Sequence, residues 1–224
     1  MSRPANHSLT LERGLRVLRV LADEPDGLSV SELAAELETH RAGIYRLLGP
    51  LAEQRLVVRG AGGRYTLGLG LLELASAVRS RLQEVAVREL RVLADEVRAT
   101  TALTIRDGDE AVVATVVEPT STDMHIAYRP GLRHPIDRAA PGLAILAGGP
   151  PLPGERPEVG LARQRGWAVT TGELLPGATG VAVPILMPGG DAEASISAVW
   201  IEPRDPGKMA EPVVRAARAI AAAL

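Results

Sequence analysis

Four histidines, no cysteine and a group of arginines in the first third of the chain bound the chemistry open to this 224-residue protein. The histidines are His7, His40, His125 and His134, and no two stand at a metal-ligand spacing such as His-x-x-x-His. Without cysteine there is no disulfide, thiolate metal site or sulfur nucleophile. No Gly-x-Ser-x-Gly turn or phosphate loop occurs, and Gly60–Gly63 is too short and follows no strand–helix unit. The acid pairs Glu84/Glu89 and Asp95/Glu96 lie in helical patterns where a solvated face accounts for them. The chain reads as a binder, not an enzyme, with no cofactor and no metal.

What remains is polyanion chemistry. His40, Arg41, Ala42, Gly43, Tyr45 and Arg46 stand at or near the start of one helical pattern. Arg59 and Arg64 flank a glycine-rich tip. Arginines bond guanine edges or neutralise phosphates, tyrosine reaches a phosphate or packs on a sugar, and glycine admits a close backbone. With Ser29, at the start of the preceding helix, these are the candidate DNA contacts. Residues 1–66 hold nine arginines against eight acids. A positive face therefore depends on segregation, and Glu32, Glu36 and Glu38 must point elsewhere or pair. The net charge of −2 leaves room for such a local face.

These side chains need a scaffold. Thr10 can cap a first helix whose apolar positions are Leu11, Leu15, Leu18 and Leu21. Ser29-Val30-Ser31-Glu32 is a capping box opening a short helix to about Leu37. After Glu38-Thr39-His40 a third helix shows the stripe Ile44, Leu47, Leu48 and Leu51. The period then changes to two: Leu56–Arg59 and Arg64–Leu67 read as strands joined by Gly60–Gly63. Three helices with a tight turn, followed at once by a hairpin, make a winged helix-turn-helix.

A separate α/β unit follows. Helices are expected over Val85–Val97, Pro141–Ala147, a short stretch ending at Arg165, and Glu211–Leu224. Strands are expected at Ala102–Arg106, Ala111–Glu118, Met124–Tyr128, Trp167–Val169, Gly180–Leu186 and Ser195–Ile201, with a turn at Pro188-Gly189-Gly190. Arg133 and His134 could supply an anion site, and Trp167 and Trp200 could serve as core or pocket wall. No uninterrupted apolar run of about 18 residues occurs, and Met1–Asn6 has no apolar stretch to serve a signal peptide. The expected setting is the cytoplasm, with no membrane.

The sequence resembles the IclR family of bacterial regulators almost end to end. In the first unit the likeness lies in Thr10–Leu15, Leu28–Ala34, Tyr45–Leu48 and Arg64–Gly68; in the second, in Gly131–Pro135, Ala140–Ala147, Gly166–Ala168 and Gly177–Ile185. The resemblance implies an α+β chain. A winged helix-turn-helix would occupy residues 1–70, a linker helix 71–83 and a GAF-like α/β effector-binding domain 84–224. It implies a homodimer or dimer of dimers on a palindromic operator in double-stranded DNA, modulated by a small molecule. Carried over by position, the ligand contacts fall at Ala140, Pro141, Thr170, Gly180, Val199 and Ile201. Those positions are mostly small or apolar, which implies a hydrophobic effector or a domain that binds none. The alternative is a winged-helix protein-interaction module with a degenerate sensor domain.

Departures from the family pattern are specific. Ala42-Gly43 stands where hydroxyl residues are common, and Leu143 where a lysine is common. Pro50 cannot donate to the Arg46 carbonyl and should kink the third helix or end it early.

Overall fold

A computed structural model describes residues 8–78, 81–120, 126, 129–186 and 191–224. The chain divides into two compact units, Met1–Arg79 and Ser80–Leu224. His7, His125, the strand expected over 124–128 (apart from Ile126) and the turn at 188–190 lie outside the described residues.

The first unit is built from α1 (Leu9–Ala22), α2 (Val30–Glu36), α3 (Arg41–Glu53), β1 (Val57–Arg59), β2 (Tyr65–Leu67) and α4 (Gly70–Val78). α1 starts earlier than Thr10, because the Ser8 hydroxyl accepts from the Leu11 amide and caps the helix. Its inward face also differs from the expected stripe. Gly14, Val17 and Leu21 are buried, whereas Leu11 and Leu15 are 64 % and 52 % exposed. α1 is apolar at Leu9, Leu11, Leu15, Val17, Leu18, Val20 and Leu21. With leucines on several sides, periodicity alone does not select the packed face; the groove offered by α2 and α3 does.

α3 buries Ile44, Leu47 and Leu48, as its spacing predicts. Pro50 neither ends nor breaks it. The helix runs on to Glu53, and the Pro50 carbonyl accepts from Gln54 N at 3.1 Å. One lost backbone bond on an exposed side is outweighed by the packing of Leu47, Leu48 and Leu51. β1 and β2 pair antiparallel from Val57↔Leu67 to Arg59↔Tyr65 and enclose a single 3₁₀ turn at Ala61–Gly63. The wing meets the helices through Leu28 and Tyr65, which exchange backbone hydrogen bonds at 2.9 and 2.7 Å. Gly27 makes this possible. Its φ is +70°, and a Cβ there would lie 2.4 Å from the Tyr65 carbonyl oxygen.

The second unit contains α5 (Arg81–Val97), β3 (Thr100–Asp107), β4 (Glu110–Val117), β5 (Arg133–Pro135), α6 (Ala139–Ala147), α7 (Pro157–Arg165), β6 (Ala168–Thr171), β7 (Thr179–Ile185), β8 (Ala194–Trp200) and α8 (Pro206–Ala222). α8 begins five residues before the expected Glu211, capped by Asp205, whose carboxylate accepts from Gly207 N at 2.8 Å, with Pro206 at the first helical position. The strands form one antiparallel sheet in the order β5-β4-β3-β8-β7-β6.

Alternation along the strands sorts the two faces. On one face Leu103, Val181, Val183, Ile185, Ile196, Ala198 and Trp200 meet Leu90, Leu93 and Val97 of α5 and Val213, Ala217 and Ile220 of α8. Each large aliphatic side chain so buried contributes about 1.5–3 kcal/mol. Trp200 belongs to this core; Trp167 packs at its margin with the Arg165 guanidinium 3.9 Å from its ring centre. On the other face α6 and α7 pack Ala140, Leu143, Ala144, Ala147, Val159 and Ala162 against Ala168 and Ala182. Leu143, where a lysine is common in the resembled family, is fully buried here.

Candidate functional site

Two places in the molecule gather the residues singled out from the sequence, one in each unit. In the first, the turn between α2 and α3 presents His40, Arg41, Ala42, Tyr45 and Arg46 on the exposed side of α3, with Gly43 partly covered. The alternation is forced: once Ile44, Leu47 and Leu48 face the core, the residues at 41, 42, 45 and 46 face out. His40 is the N-cap but makes no side-chain cap bond. The first amides of a 13-residue helix are thus open toward solvent, where the helix dipole favours an anion. Among the described residues, Arg41, Arg46 and Arg59 form no ion pair or hydrogen bond through their side chains.

Three residues that the sequence did not single out as contacts join this face. Thr10, Arg13 and Thr39 line a groove of about 190 Å³ together with Gly43, Arg46 and Leu47. A Cβ at Gly43 would stand 3.2 Å from Thr39 Oγ1, so the small residue at 43 and the hydroxyl at 39 are fitted to one another.

Ser29 and Arg64 are placed otherwise than as free contacts. The Ser29 hydroxyl accepts from Glu32 N, and Glu32 Oε2 accepts from Ser29 N at 2.7 Å, closing the capping box. Arg64 donates to the Gly27 carbonyl at 2.7 and 3.1 Å and to the Asp26 carbonyl at 3.2 Å, and pairs with Glu32 at 3.2 Å. It braces the wing against the helices. This also resolves the fate of Glu32: backbone and side-chain hydrogen bonds from Ser29, then Arg64, hold its carboxyl below the usual range.

In the second unit a pocket opens on the sheet face covered by α6. Ala140, Pro141, Thr170, Gly180 and Val199 all line it, with Thr100, Ala102, Thr104, Val113, His134, Glu173, Leu175, Ala178 and Ser197. Ile201 does not. β8 ends at Trp200, so the alternation that puts Val199 into the pocket stops one residue short, and Ile201 is 62 % exposed. The space open to the centres of water-sized spheres is about 30 Å³, room for one or two waters at this width.

Most polar groups around the pocket serve the protein itself. Thr170 Oγ1 accepts from Ala140 N at 2.9 Å, Ser195 Oγ donates to the Pro141 carbonyl at 2.9 Å, and Thr100 Oγ1 donates to the Ile126 carbonyl at 2.6 Å. Glu173 accepts from Ala139 N at 2.7 Å and forms a two-pronged pair with Arg156 at 3.0 and 3.1 Å. Ala139 sits at φ +59°, left-handed for a residue with a Cβ, and these bonds hold it there. The Arg156 guanidinium, with help from the Ala139 amide, keeps the Glu173 carboxyl below the ordinary range. Burial opposes this shift and is outweighed.

The expectation of an anion site at Arg133 and His134 fails. Arg133 is tied to Asp107 and, at 2.8 Å, to Glu110, so its charge is compensated on the outer edge of the sheet. His134 points the other way, into the pocket, and is 4 % exposed. Thr104, His134 and Glu173 were not legible as pocket residues: Thr104 alternates with Ala102 on a strand whose pocket face is set by the packing of α6, and His134 and Glu173 reach the pocket from an edge strand and a loop.

Residues 10–61 match the model of the IclR helix-turn-helix domain. An HTH-type transcriptional regulator of Mycobacterium tuberculosis is 34 % identical over 63 % of this chain, and the match spans just over half, 54 %, of that relative. The transcriptional regulator SauR of Cupriavidus necator is 28 % identical over 86 % of this chain and 86 % of its own length. Over the whole fold, an IclR homologue from Microbacterium hydrocarbonoxydans, solved with 4-hydroxybenzoate, superposes with a TM-score of 0.81 at 24 % identity, covering 96 % of this chain and 98 % of that one. With its arginine-bearing third helix, its paired wing and this match, the N-terminal unit is an IclR helix-turn-helix domain.

Proposed function

We propose that the protein is a DNA-binding transcriptional regulator whose C-terminal unit senses a small molecule. The observation that carries this is the open face of α3: exposed Arg41 and Arg46 without described partners, beside an uncapped helix start, in a domain matched by the IclR helix-turn-helix model. α3 enters the major groove, where Arg41, Tyr45 and Arg46 meet base edges and phosphates. Arg59, at the wing, meets the backbone. Arg64 and Ser29 hold the wing and α2 in place and contribute to DNA binding only through that.

The partner DNA is a palindromic operator and the protein a homodimer or dimer of dimers, acting in the cytoplasm. α1 exposes Leu9, Leu11 and Leu15, and α4 exposes Leu72 and Leu74, apolar surface suited to a second copy. Two-fold symmetry would set the recognition helices one DNA turn, roughly 34 Å, apart. The pocket beneath α6 is the effector site, supported by its mostly apolar lining. The relatives named above are regulators, and the same reading makes this chain a binder without catalysis.

Binding to the DNA upstream of the protein's own gene, measured at two salt concentrations, tests the reading. Specific binding that weakens steeply with salt is expected. Equal, weak affinity for any sequence would overturn it in favour of a winged helix that acts on protein partners.

A further inference from the structure

Among the described residues, two buried side-chain polar atoms have no hydrogen-bond partner, Thr104 Oγ1 and His134 Nε2. Both side chains line the same pocket, and Thr104 is fully buried. An unpaired buried polar group destabilises the fold, so two around one cavity require an explanation. The sheet is built to bring them there. β4 slips by one residue against β3 between Leu103 and Thr104, so that Leu103 faces Thr115 and Thr104 faces Val113, with Ala114 bulged out. The bulge turns Val113 of β4 into the pocket, whereas Thr104 reaches it by the regular alternation of Thr100, Ala102 and Thr104 along β3. His134 reaches the pocket from β5, paired with Ala111 on the far side of β4.

The chemistry of the two atoms is defined. His134 Nδ1 lies 2.9 Å from the Pro135 carbonyl, which can only accept, so Nδ1 carries the hydrogen. With Nδ1 carrying the hydrogen, Nε2 is the ring nitrogen left to accept from a ligand. Thr104 offers a hydroxyl that can donate or accept. The one carboxylate of the lining, Glu173, already occupies the amide at the start of α6 and both prongs of Arg156. An anionic ligand would find these donors taken and a like charge beside it. The rest of the lining is mostly apolar, among it Ala102, Val113, Leu175, Ala178 and Val199; of its hydroxyls, those of Thr100 and Thr170 are bonded to backbone, and Ser197 adds one more.

We propose that this pocket takes a compact, uncharged, mainly apolar molecule carrying a hydroxyl group, with His134 Nε2 accepting the hydroxyl hydrogen and the Thr104 hydroxyl as the second polar partner. The proposal rests on the effector reading and names the ligand class of that site. The cavity as it stands is smaller than such a molecule, so α6 and the Glu173–Leu175 segment must yield as it enters.

Calorimetric titration of the full chain with phenol, toluene and benzoate separates the possibilities, since phenol and toluene share a shape and differ in the hydroxyl. Phenol is expected to bind at least tenfold tighter than either of the others. Thr104→Val and His134→Phe are each expected to shrink the phenol-over-toluene preference. Thr104→Val should also unfold at no lower temperature than the parent, because it removes an unpaired hydroxyl while keeping the side-chain shape. Equal binding of phenol and toluene, tightest binding of benzoate, or an unchanged preference in both variants would overturn the ligand class and leave the effector reading standing. Binding of none of the three would overturn both.

Discussion

In the helix-turn-helix unit Arg41, Arg46 and Arg59 stand exposed without described partners, while in the six-stranded unit Arg133, Arg156, Arg163 and Arg215 are each tied to a carboxylate. Arg163 pairs with Glu155 at 2.6 Å and also donates to the Leu146 and Gly149 carbonyls at 3.1 Å, pinning α7 to the end of α6. Arg156 ties the start of α7 to Glu173 and so to the start of α6. The first set of cations leaves the fold unaided and is available to a polyanion. The second set ties elements of the fold together, and Arg156 does so at the wall of the pocket through Glu173. The same residue type thus serves binding in one unit and architecture in the other, decided by whether an acid lies within reach. The first unit has its own exceptions: Arg64 is committed to Gly27, Asp26 and Glu32, and Arg55 pairs with Glu73 at 3.5 Å.

This contrast predicts that substitutions in the second unit act on stability and those on α3 on binding. The largest stability effect is expected at Gly142→Ala. A Cβ there would meet the Ile136 carbonyl oxygen at 2.2 Å and its carbon at 2.9 Å, backbone atoms with no side chain to move aside. Forcing α6 off the sheet should cost about 3 kcal/mol, read as a lower midpoint in urea unfolding, while DNA affinity at low temperature stays within about twofold, a difference of roughly 0.4 kcal/mol. Unchanged stability would mean that α6 does not sit as close as described.

Next comes Glu173→Gln, which removes the two-pronged pair with Arg156 and leaves that guanidinium only the Glu158 carboxylate, at 3.3 Å, and should cost about 2 kcal/mol. Its pH dependence carries the sign. The Glu173 carboxyl is held below its ordinary value by Arg156 first and the Ala139 amide next. Its contribution is therefore complete above the unfolded value of about 4.3 and is lost as pH falls through the lowered folded value. Thermal unfolding from pH 7 to pH 3 should show the parent losing more stability on acidification than Glu173→Gln. Parallel curves would assign the acid limb to other carboxylates.

Smaller again is Arg64→Ala. The wing loses three bonds to backbone carbonyls and an exposed ion pair, worth about 1 kcal/mol together after solvent competition. Hydrogen exchange should rise at the Leu28 and Tyr65 amides, which join the wing to the body. A loss of DNA affinity as large as that of Arg46→Ala would break the distinction between brace and contact.

How far the residues alone reached follows the same divide. Local signals were sufficient where structure is local. The capping box at Ser29 and Glu32, the stripe of Ile44, Leu47 and Leu48, and the change of period at Leu56 each mark an element that forms where they indicate. They failed for the face of α1, where too many leucines left the choice to neighbouring helices. They failed at Pro50, where a lost backbone bond weighs less than the helix's packing. In the pocket, Ala140, Pro141, Thr170, Gly180 and Val199 were reached only through family resemblance, and Ile201 was misplaced because a strand ends at Trp200. Thr104 depends on which face of β3 the helices leave to the pocket, and His134 and Glu173 on a three-residue edge strand and a loop. Their partners lie far away in sequence, and no local pattern encodes such meetings.

The division between contact and brace is tested most directly by the salt dependence of DNA binding for the parent, Arg46→Ala and Arg64→Ala, with the DNA upstream of the protein's own gene. Arg46→Ala should lower affinity and make the slope of log affinity against log salt shallower by about one, with unfolding unchanged. Arg64→Ala should keep the parent's slope. An Arg46→Ala protein with the parent's affinity and slope would contradict the assignment of α3 as the DNA-reading helix.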